Sequence, residues 1–179
     1  MNLYVMRHGQ TNCNVERRYN CRLDEDINAK GIEQAEIARE KIKDLDIDLI
    51  ICSPMLRTRH TCEIINVNNI PVIYDDRLME REGGILTGKP TDEYYYKEYY
   101  NYYSTNVVEG LETLHDVFKR VNSIIDDIKI NYKDKNILLI THKVITVAIP
   151  FYFKNIPEDG MVLNACDQKN CEIKKYVLN

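Results

Sequence analysis

Short apolar runs alternate with amphipathic segments along most of the chain, and this alternation is the main structural signal in the sequence. Short, β-rich apolar runs bounded by polar or turn residues are typical of buried strands. Four such runs predict strands: NLYVMR, DIDLIICS, IPVIYD and KNILLIT. Near the end of the chain, GMVLNAC and CEIKKYVLN predict two further strands, joined by a turn at DQKN.

Amphipathic segments between these runs predict helices. In NAKGIEQAEIAREKIKDL, apolar residues recur at roughly helical spacing: Ile32, Ala35, Ile37, Ala38 and Ile42. The longest segment, LETLHDVFKRVNSIIDDIKINY, carries one apolar stripe, which consists of Leu114, Val117, Val121, Ile124, Ile125 and Ile128. Two more segments predict helices, MLRTRHTCEIINV and KVITVAI, the second ending near Pro150.

Strands that alternate with helices favour a mostly parallel sheet covered on both faces. The predicted fold class is therefore α/β, with a three-layer α/β/α sandwich around a mostly parallel central sheet. The chain has no internal repeat and no Gly/Ser-rich linker, so residues 1–179 are predicted to form a single domain.

Polar side chains follow three of the predicted strands. Arg7 and His8 end the first strand, Arg57 comes shortly after the second, and His142 follows KNILLIT. In open α/β sheets, ligands bind outside the carboxyl ends of the strands. We therefore expect these four side chains to converge on one crevice.

Two arginines and two histidines without a carboxylate between them predict an anion site. The planar guanidinium group matches phosphate oxygens, and an imidazole can attack phosphorus to form a covalent intermediate. A leaving alkoxide also needs a proton, which requires a nearby acid. Glu80, in the loop that follows IPVIYD, is the candidate, with Glu82 and Glu109 as acidic alternatives.

The chain also carries four motifs in a characteristic order. The first is R-H-G followed by Thr and Asn, at Arg7, His8, Gly9, Thr11 and Asn14. The other three are SPMLRTRHTC around Arg57, a Glu-x-x-x-Gly motif at Glu80 and Gly84, and NILLITHK around His142. In these motifs and their order the chain resembles the histidine phosphatase superfamily, also called phosphoglycerate mutase-like, and the resemblance runs over nearly the whole chain.

This resemblance implies a phosphoglycerate mutase-like fold and a role for each matching residue. It implies that His8 is the phosphorylated nucleophile and that Glu80 donates the proton to the leaving group. Arg7, Arg57 and His142 are implied as the clamp on the phosphoryl oxygens.

The same resemblance predicts a set of substrate-binding residues: Asn14, Thr11, Gly9 and Cys21. Asn14 is expected near the bound phosphate. Gly9 is expected to let the backbone approach the anion, since a glycine has no Cβ.

The chain departs from the family pattern at three places. Lys143 follows the second histidine where the family usually has Gly, Cys21 replaces a small residue, and His60 replaces a frequent Gln. His60 and His115 are predicted to lie on helix surfaces, and Asp24 to be a loop or capping residue.

The tyrosine-rich run DEYYYKEYYNYY allows two interpretations. As a helix, it places Tyr95, Tyr99 and Tyr102 on one face and Tyr96, Tyr100 and Tyr103 on another. The simpler prediction is an amphipathic helix whose rings pack on the domain while their hydroxyls reach water. The functional hypothesis is that this segment lies over the pocket, since it follows the Glu80 loop.

The net charge and the cysteines limit which binding partners and which cellular compartment are expected. The formal net charge is -4, which argues against broad binding to nucleic acid or to an acidic membrane. The longest apolar region is interrupted by His142 and Lys143, so each half is too short to span a bilayer. Without a secretory signal or a C-x-x-C pair, the six cysteines are expected to be reduced thiols in a cytoplasmic protein.

The leading functional hypothesis is a phosphomonoester hydrolase that acts through phosphohistidine on small phosphorylated metabolites. The alternatives are a phosphoglycerate-type phosphomutase and a phospho-ligand binding module without turnover. We expect no metal and no other cofactor, a small phosphorylated substrate as partner, no nucleic acid or membrane, and a monomer or homodimer. The identity of the natural substrate stays open at this point.

Overall fold

The computed structural model describes residues 1–106, 108–165 and 168–178, and its central feature is a five-stranded sheet. The strands are β1 (Asn2–Arg7), β2 (Leu49–Cys52), β3 (Val72–Tyr74), β4 (Ile137–Thr141) and β5 (Ile173–Val177), in the spatial order β3-β2-β4-β1-β5. β5 runs antiparallel to β1, whereas every other neighbouring pair is parallel. The predicted mostly parallel sheet is confirmed.

Helices cover both faces of this sheet. They are α1 (Asn12–Val15), α2 (Ala29–Ile42), α3 (Leu56–Ile65), α4 (Glu93–Tyr99), α5 (Leu114–Asn131) and α6 (Lys143–Ala148), and a 3₁₀ turn at Ile149–Tyr152 continues α6. α5 and α6 contribute to one apolar core, and α2 and α3 to the other. Alternate residues of β1 belong to the two cores, Leu3 and Val5 to one, Tyr4 and Met6 to the other. The three-layer α/β/α sandwich is therefore confirmed.

The register of the sheet brings two predicted site segments together. Arg7 at the end of β1 lies opposite Thr141 at the end of β4. The ladder extends one residue further, because the backbone N–H of His8 donates to the carbonyl of Thr141 over 3.0 Å. His8 and His142 therefore leave the sheet side by side, at its carboxyl edge.

One prediction about an apolar segment is wrong. The segment around GMVLNAC is not a strand: Leu163–Ala165 form a 3₁₀ turn, while Cys166 and Asp167 lie outside the described residues. Val162 is nevertheless fully buried, and its N–H donates to the carbonyl of Tyr100, so this segment packs on the tyrosine-rich segment instead of the sheet. The helix predicted for the segment around Ala35 is confirmed as α2, although Ile37 is 53% exposed and lies off the stripe that faces the core.

The other two structural expectations concern thiols and membranes. The five cysteines within the described part of the chain are free, whereas Cys166 falls outside it. Among the residues that the structure describes, no helix is both long and apolar enough to cross a membrane.

Candidate active site

A cavity of about 610 Å³ opens at the carboxyl edge of the sheet. Six of the predicted site residues line it: Arg7, His8, Asn14, Cys21, Arg57 and Glu80. They come from β1 and the residue after it, from α1 and the loop between α1 and α2, from α3, and from the loop between β3 and α4. The expected convergence of distant segments is therefore found in the structure.

His8 is held as a neutral imidazole with one nitrogen available. Its Nδ1 lies 2.6 Å from the carbonyl oxygen of Gly9, and only a protonated nitrogen can donate to that oxygen. The proton on Nδ1 leaves a lone pair on Nε2. Burial, and then the positive charges of Arg57 and Arg7, hold the pKa of His8 well below its usual value, although the bond to Gly9 acts in the opposite direction. His8 is therefore a neutral ring whose Nε2 lone pair can act as a nucleophile.

His142 lies behind His8 rather than in the cavity wall. The two ring centroids are 5.2 Å apart, and His142 is fully buried. Its Nδ1 accepts from Nε of Arg57 over 3.2 Å, so its Nε2 carries the proton and donates to the hydroxyl of Ser53 over 2.8 Å. Both ring nitrogens therefore have protein partners. The predicted contact of His142 with phosphoryl oxygens stays a prediction, and it requires the Ser53 bond to be exchanged.

Arg57 is a fully buried guanidinium group with fixed orientation. Besides the bond to His142, it donates to the carbonyls of Leu23 and Cys21, each over 2.7 Å. Guanidinium has five N–H groups, so two of them, one on each Nη, remain for a ligand. Burial lowers the pKa of Arg57, and the nearby Glu80 opposes that shift. Arg57 is therefore a positive charge of fixed orientation in the lining of the cavity.

Glu80 is buried, and its two carboxylate oxygens differ in their surroundings. Oε1 accepts from the backbone N–H of Arg81 over 2.9 Å. Oε2 lies 3.5 Å from the N–H of Val144, a long contact that leaves this oxygen weakly held. Glu82, an alternative acid, bonds instead to the N–H of Gly83 and does not line the cavity, and Glu109 is exposed.

Asn14 and Thr11 form the capping box of α1 and differ in their relation to the cavity. The Thr11 hydroxyl accepts from the N–H of Asn14, and the Asn14 amide oxygen accepts from the N–H of Thr11 over 3.1 Å. Thr11 is fully buried, does not line the cavity and has a capping role, so its predicted contact with substrate stays a prediction. Asn14 does line the cavity.

The structure gives Gly9 a reason for being glycine other than the predicted one. Gly9 does not line the cavity; it packs against Gly31 of α2, where an added Cβ would lie 2.6 Å from the Gly31 carbonyl oxygen. The absence of a side chain therefore lets the loop after β1 approach a helix backbone, and the predicted approach to a bound anion stays a prediction.

We predict that Gly9→Ala lowers the free energy of unfolding by about 1–3 kcal/mol, because neither backbone can shift cheaply at this contact. Urea denaturation followed by circular dichroism measures this change. Gly88→Ala is the comparison, since a Cβ there meets only the end of the Leu23 side chain, at 3.6 Å, and only its positive φ adds strain. A smaller loss for Gly9→Ala than for Gly88→Ala would contradict the steric explanation.

Cys21 lines the cavity but is not a reactive thiolate. Burial raises its thiol pKa to about 11, so the group is protonated near neutral pH. Its Sγ lies 3.7 Å from the hydroxyl of Tyr99, and its carbonyl accepts from Arg57. Cys21 therefore shapes the cavity and holds Arg57.

The structural interpretations of the remaining polar residues are confirmed. Asp24 accepts from the N–H of Leu56 at the start of α3, which is a capping role. His60 is only partly buried and lies 2.9 Å from Asp26, and His115 is exposed on α5 against the ring of Tyr102.

The tyrosine-rich segment forms one wall of the cavity. Tyr96, Tyr99 and Tyr100 line it, as the functional hypothesis for this segment expected. The helix ends at Tyr99, so the predicted faces that extend to residues 102 and 103 do not form, and the Tyr95 side chain lies outside the described part. Arg81 holds the segment in place, since it donates to the carbonyl of Tyr99 and lies 4.4 Å from the Tyr99 ring centroid.

Sequence reasoning missed several lining residues, among them Asn170, Arg17 and Arg18. Asn170 comes from the end of the chain and donates to the carbonyl of His8 over 2.8 Å. Lys143, noted only as a departure from the family pattern, also lines the cavity. Among the lining residues that the structure describes, five side chains are formally cationic and two are carboxylates, so this lining is positive although the whole chain carries a net charge of -4.

Comparisons with known proteins agree with this geometry. The family model of the histidine phosphatase superfamily (branch 1) matches residues 3–178. The chain is 30% identical over 139 residues to "Uncharacterized phosphatase PhoE" of Bacillus subtilis (strain 168), an alignment that covers 77% of this chain and 69% of that protein. It is also 30% identical over 151 residues to "Probable phosphoglycerate mutase GpmB" of Escherichia coli, covering 80% of this chain and 70% of that protein. The solved structure of Bacillus stearothermophilus YhfR matches the fold with a TM-score of 0.86 and 24% identity, over 99% of this chain and 91% of that one.

Proposed function

The chain belongs to the histidine phosphatase superfamily, and from that premise we propose that it is a phosphomonoester hydrolase that works through a phosphohistidine at His8. The observation that carries this proposal is the state of His8. A neutral imidazole, with its proton fixed on Nδ1 by Gly9, faces a cavity that is also lined by Arg7 and Arg57. Its free Nε2 suits attack on phosphorus.

The proposed first half-reaction transfers the phosphoryl group to His8. A bond forms between Nε2 and phosphorus while the bond between phosphorus and the ester oxygen breaks. Glu80, protonated at the start, gives its proton to the departing oxygen, and the weakly held Oε2 is the oxygen with room to do so. The alcohol then leaves, and Glu80 remains as a carboxylate.

The proposed second half-reaction returns the enzyme to its starting state. A water oxygen attacks the phosphorus of phospho-His8, the nitrogen–phosphorus bond breaks, and Glu80 takes the proton released by the water. Arg7 and Arg57 stabilise the negative charge on the phosphoryl oxygens in both halves.

A direct test of this proposal is phosphate release by the purified protein. We expect inorganic phosphate to be released from p-nitrophenyl phosphate and from alkyl phosphates, with no loss of rate in EDTA. A protein that binds phosphate esters without releasing phosphate would instead be a binding module. A screen of phosphorylated metabolites then identifies the natural substrate.

We predict that Arg57→Ala lowers kcat by about 10²–10³-fold, because the lost donor stabilises charge that develops in the transition state. The same variant should also lower the free energy of unfolding, by more than about 2 kcal/mol, since two buried carbonyls and a ring nitrogen lose their donor. Steady-state kinetics and thermal unfolding measure the two effects. A change in KM alone would contradict the role in transition-state stabilisation.

A phosphomutase is the second candidate function, favoured by the relative named as a probable phosphoglycerate mutase and by a mutase-like ERxxGxLxGK motif around Glu80. In this chain the motif has structural partners: Arg81 donates to the carbonyls of Tyr99 and Glu112 and does not line the cavity. The motif therefore adds little support for transfer to a second hydroxyl. Conversion of 3-phosphoglycerate to 2-phosphoglycerate without phosphate release would favour the mutase.

A further inference from the structure

We propose that Lys143 and Tyr96 form a carboxylate-binding subsite on the leaving-group side of the cavity, which selects phosphomonoesters whose alcohol part carries a carboxylate. This inference rests on the proposed hydrolase function and adds a substrate class to it. Lys143 stands where the superfamily pattern usually has Gly, so the subsite is a feature of this chain.

The first observation is the geometry of the pair. Nζ of Lys143 donates to the hydroxyl oxygen of Tyr96 over 3.1 Å and lies 5.9 Å from the centroid of its ring. Both side chains are partly buried and both line the cavity. No carboxylate forms an ion pair with Lys143 among the residues that the structure describes, so its charge is held in place by a neutral partner.

The second observation is the position of the pair relative to Glu80. Lys143 immediately precedes Val144, whose N–H lies 3.5 Å from Oε2 of Glu80. Tyr96 also contacts Tyr100, which lies deeper in the same wall. The backbone of Lys143 is therefore next to the proposed proton donor, which places the pair on the side of the cavity where the leaving oxygen is expected.

The third observation is the hydrogen-bonding capacity of the pair. An ammonium group has three N–H donors, one of which is used by Tyr96. The Tyr96 hydroxyl also shares a hydrogen bond with the side chain of Tyr100, so the donors left for a ligand are the two remaining N–H groups of Lys143. One positive charge with two neighbouring donor groups matches a carboxylate, which has one negative charge and two oxygens. A second phosphate, with up to two charges, would need a pair of cations like Arg7 and Arg57.

The test compares two substrates that differ only at this group. In 3-phosphoglycerate a carboxylate replaces the terminal CH₂OH of glycerol 3-phosphate. For the unmodified protein we expect a higher kcat/KM with 3-phosphoglycerate. In Lys143→Met the ratio of the two kcat/KM values should fall roughly ten- to hundred-fold, as for loss of a hydrogen bond to a charged group. Tyr96→Phe should lower the ratio less, and Lys143→Arg should retain most of it.

Lys129→Met is the matched control, because it removes the same charge from α5, where Lys129 lies 5.9 Å from the Tyr152 ring centroid and does not line the cavity. Its ratio should equal that of the unmodified protein. Equal kcat/KM values for both substrates, or a Lys143→Met variant that loses both in proportion, would overturn the subsite while leaving the hydrolase intact. A second pair of substrates tests for a phosphate instead of a carboxylate. If the kcat/KM ratio of fructose 1,6-bisphosphate to fructose 6-phosphate exceeds that of 3-phosphoglycerate to glycerol 3-phosphate, and Lys143→Met reverses this preference, the carboxylate assignment is overturned. Failure to release phosphate from any of these esters would instead refute the hydrolase proposal.

Discussion

Replacement of His8 by alanine should lower kcat for phosphomonoester hydrolysis by on the order of 10⁴-fold or more, the scale seen when a covalent nucleophile is removed. The physical reason is that the other candidate nucleophiles among the described residues of the site have no free lone pair near neutral pH, including Cys13, whose thiol pKa burial raises to about 11. His142 has both ring nitrogens bonded to protein groups, and the Cys21 thiol is protonated near neutral pH. Steady-state assays with p-nitrophenyl phosphate measure the loss.

A covalent intermediate also gives this prediction a direct chemical readout. Rapid quenching with ³²P-labelled substrate should yield an acid-labile, base-stable phosphoryl adduct on His8. His8→Asn is a useful second variant, because its amide can still donate to the carbonyl of Gly9 and preserve the local fold. His115→Ala, on the exposed face of α5, is the matched control and should keep full activity. Substantial turnover by a folded His8→Ala protein, or an adduct on another residue, would refute the mechanism.

The sheet and its helices could be predicted because burial leaves a periodic signal in the sequence. The stripe of Leu114, Val121 and Ile128 is buried throughout in α5, as its spacing required. The same logic failed for GMVLNAC, because an apolar segment can bury its side chains against another loop as well as in a sheet. An apolar pattern in the sequence indicates that side chains are buried, but it does not identify the strand, helix or loop against which they pack.

The convergence of Arg7, His8 and Arg57 could also be predicted, since it follows from the carboxyl ends of parallel strands. Their individual contacts could not. That Gly9 packs against Gly31, or that Arg57 is held by the carbonyls of Cys21 and Leu23, depends on distant backbone segments that no local pattern encodes. Lys143 was visible as an unusual residue, but its partner Tyr96 became identifiable only from the structure.

Glu80→Gln should lower kcat much more for substrates with a poor leaving group than for substrates with a good one. An alkoxide leaves poorly without a proton, whereas p-nitrophenolate is stable enough to depart unaided. Since general acid catalysis contributes about 10²–10⁴-fold, hydrolysis of glycerol 3-phosphate should slow by that factor. Hydrolysis of p-nitrophenyl phosphate should slow by less than about tenfold, because its leaving group gains little from the acid. Measured kcat values for both substrates give the comparison.

Glu80→Gln is preferable to Glu80→Ala here because glutamine keeps an oxygen that can accept from the N–H of Arg81, the stronger of the two bonds to this side chain. The alternative interpretation is that Glu80 only fixes the backbone of Arg81 and Val144. In that case both substrates should lose activity equally, and the unfolding midpoint should fall with them. Glu82→Gln and Glu109→Gln are the matched controls, since neither residue lines the cavity. If Glu80→Gln lowers kcat equally for both substrates, and one of the control variants lowers it selectively for glycerol 3-phosphate, the residue changed in that control is the proton donor.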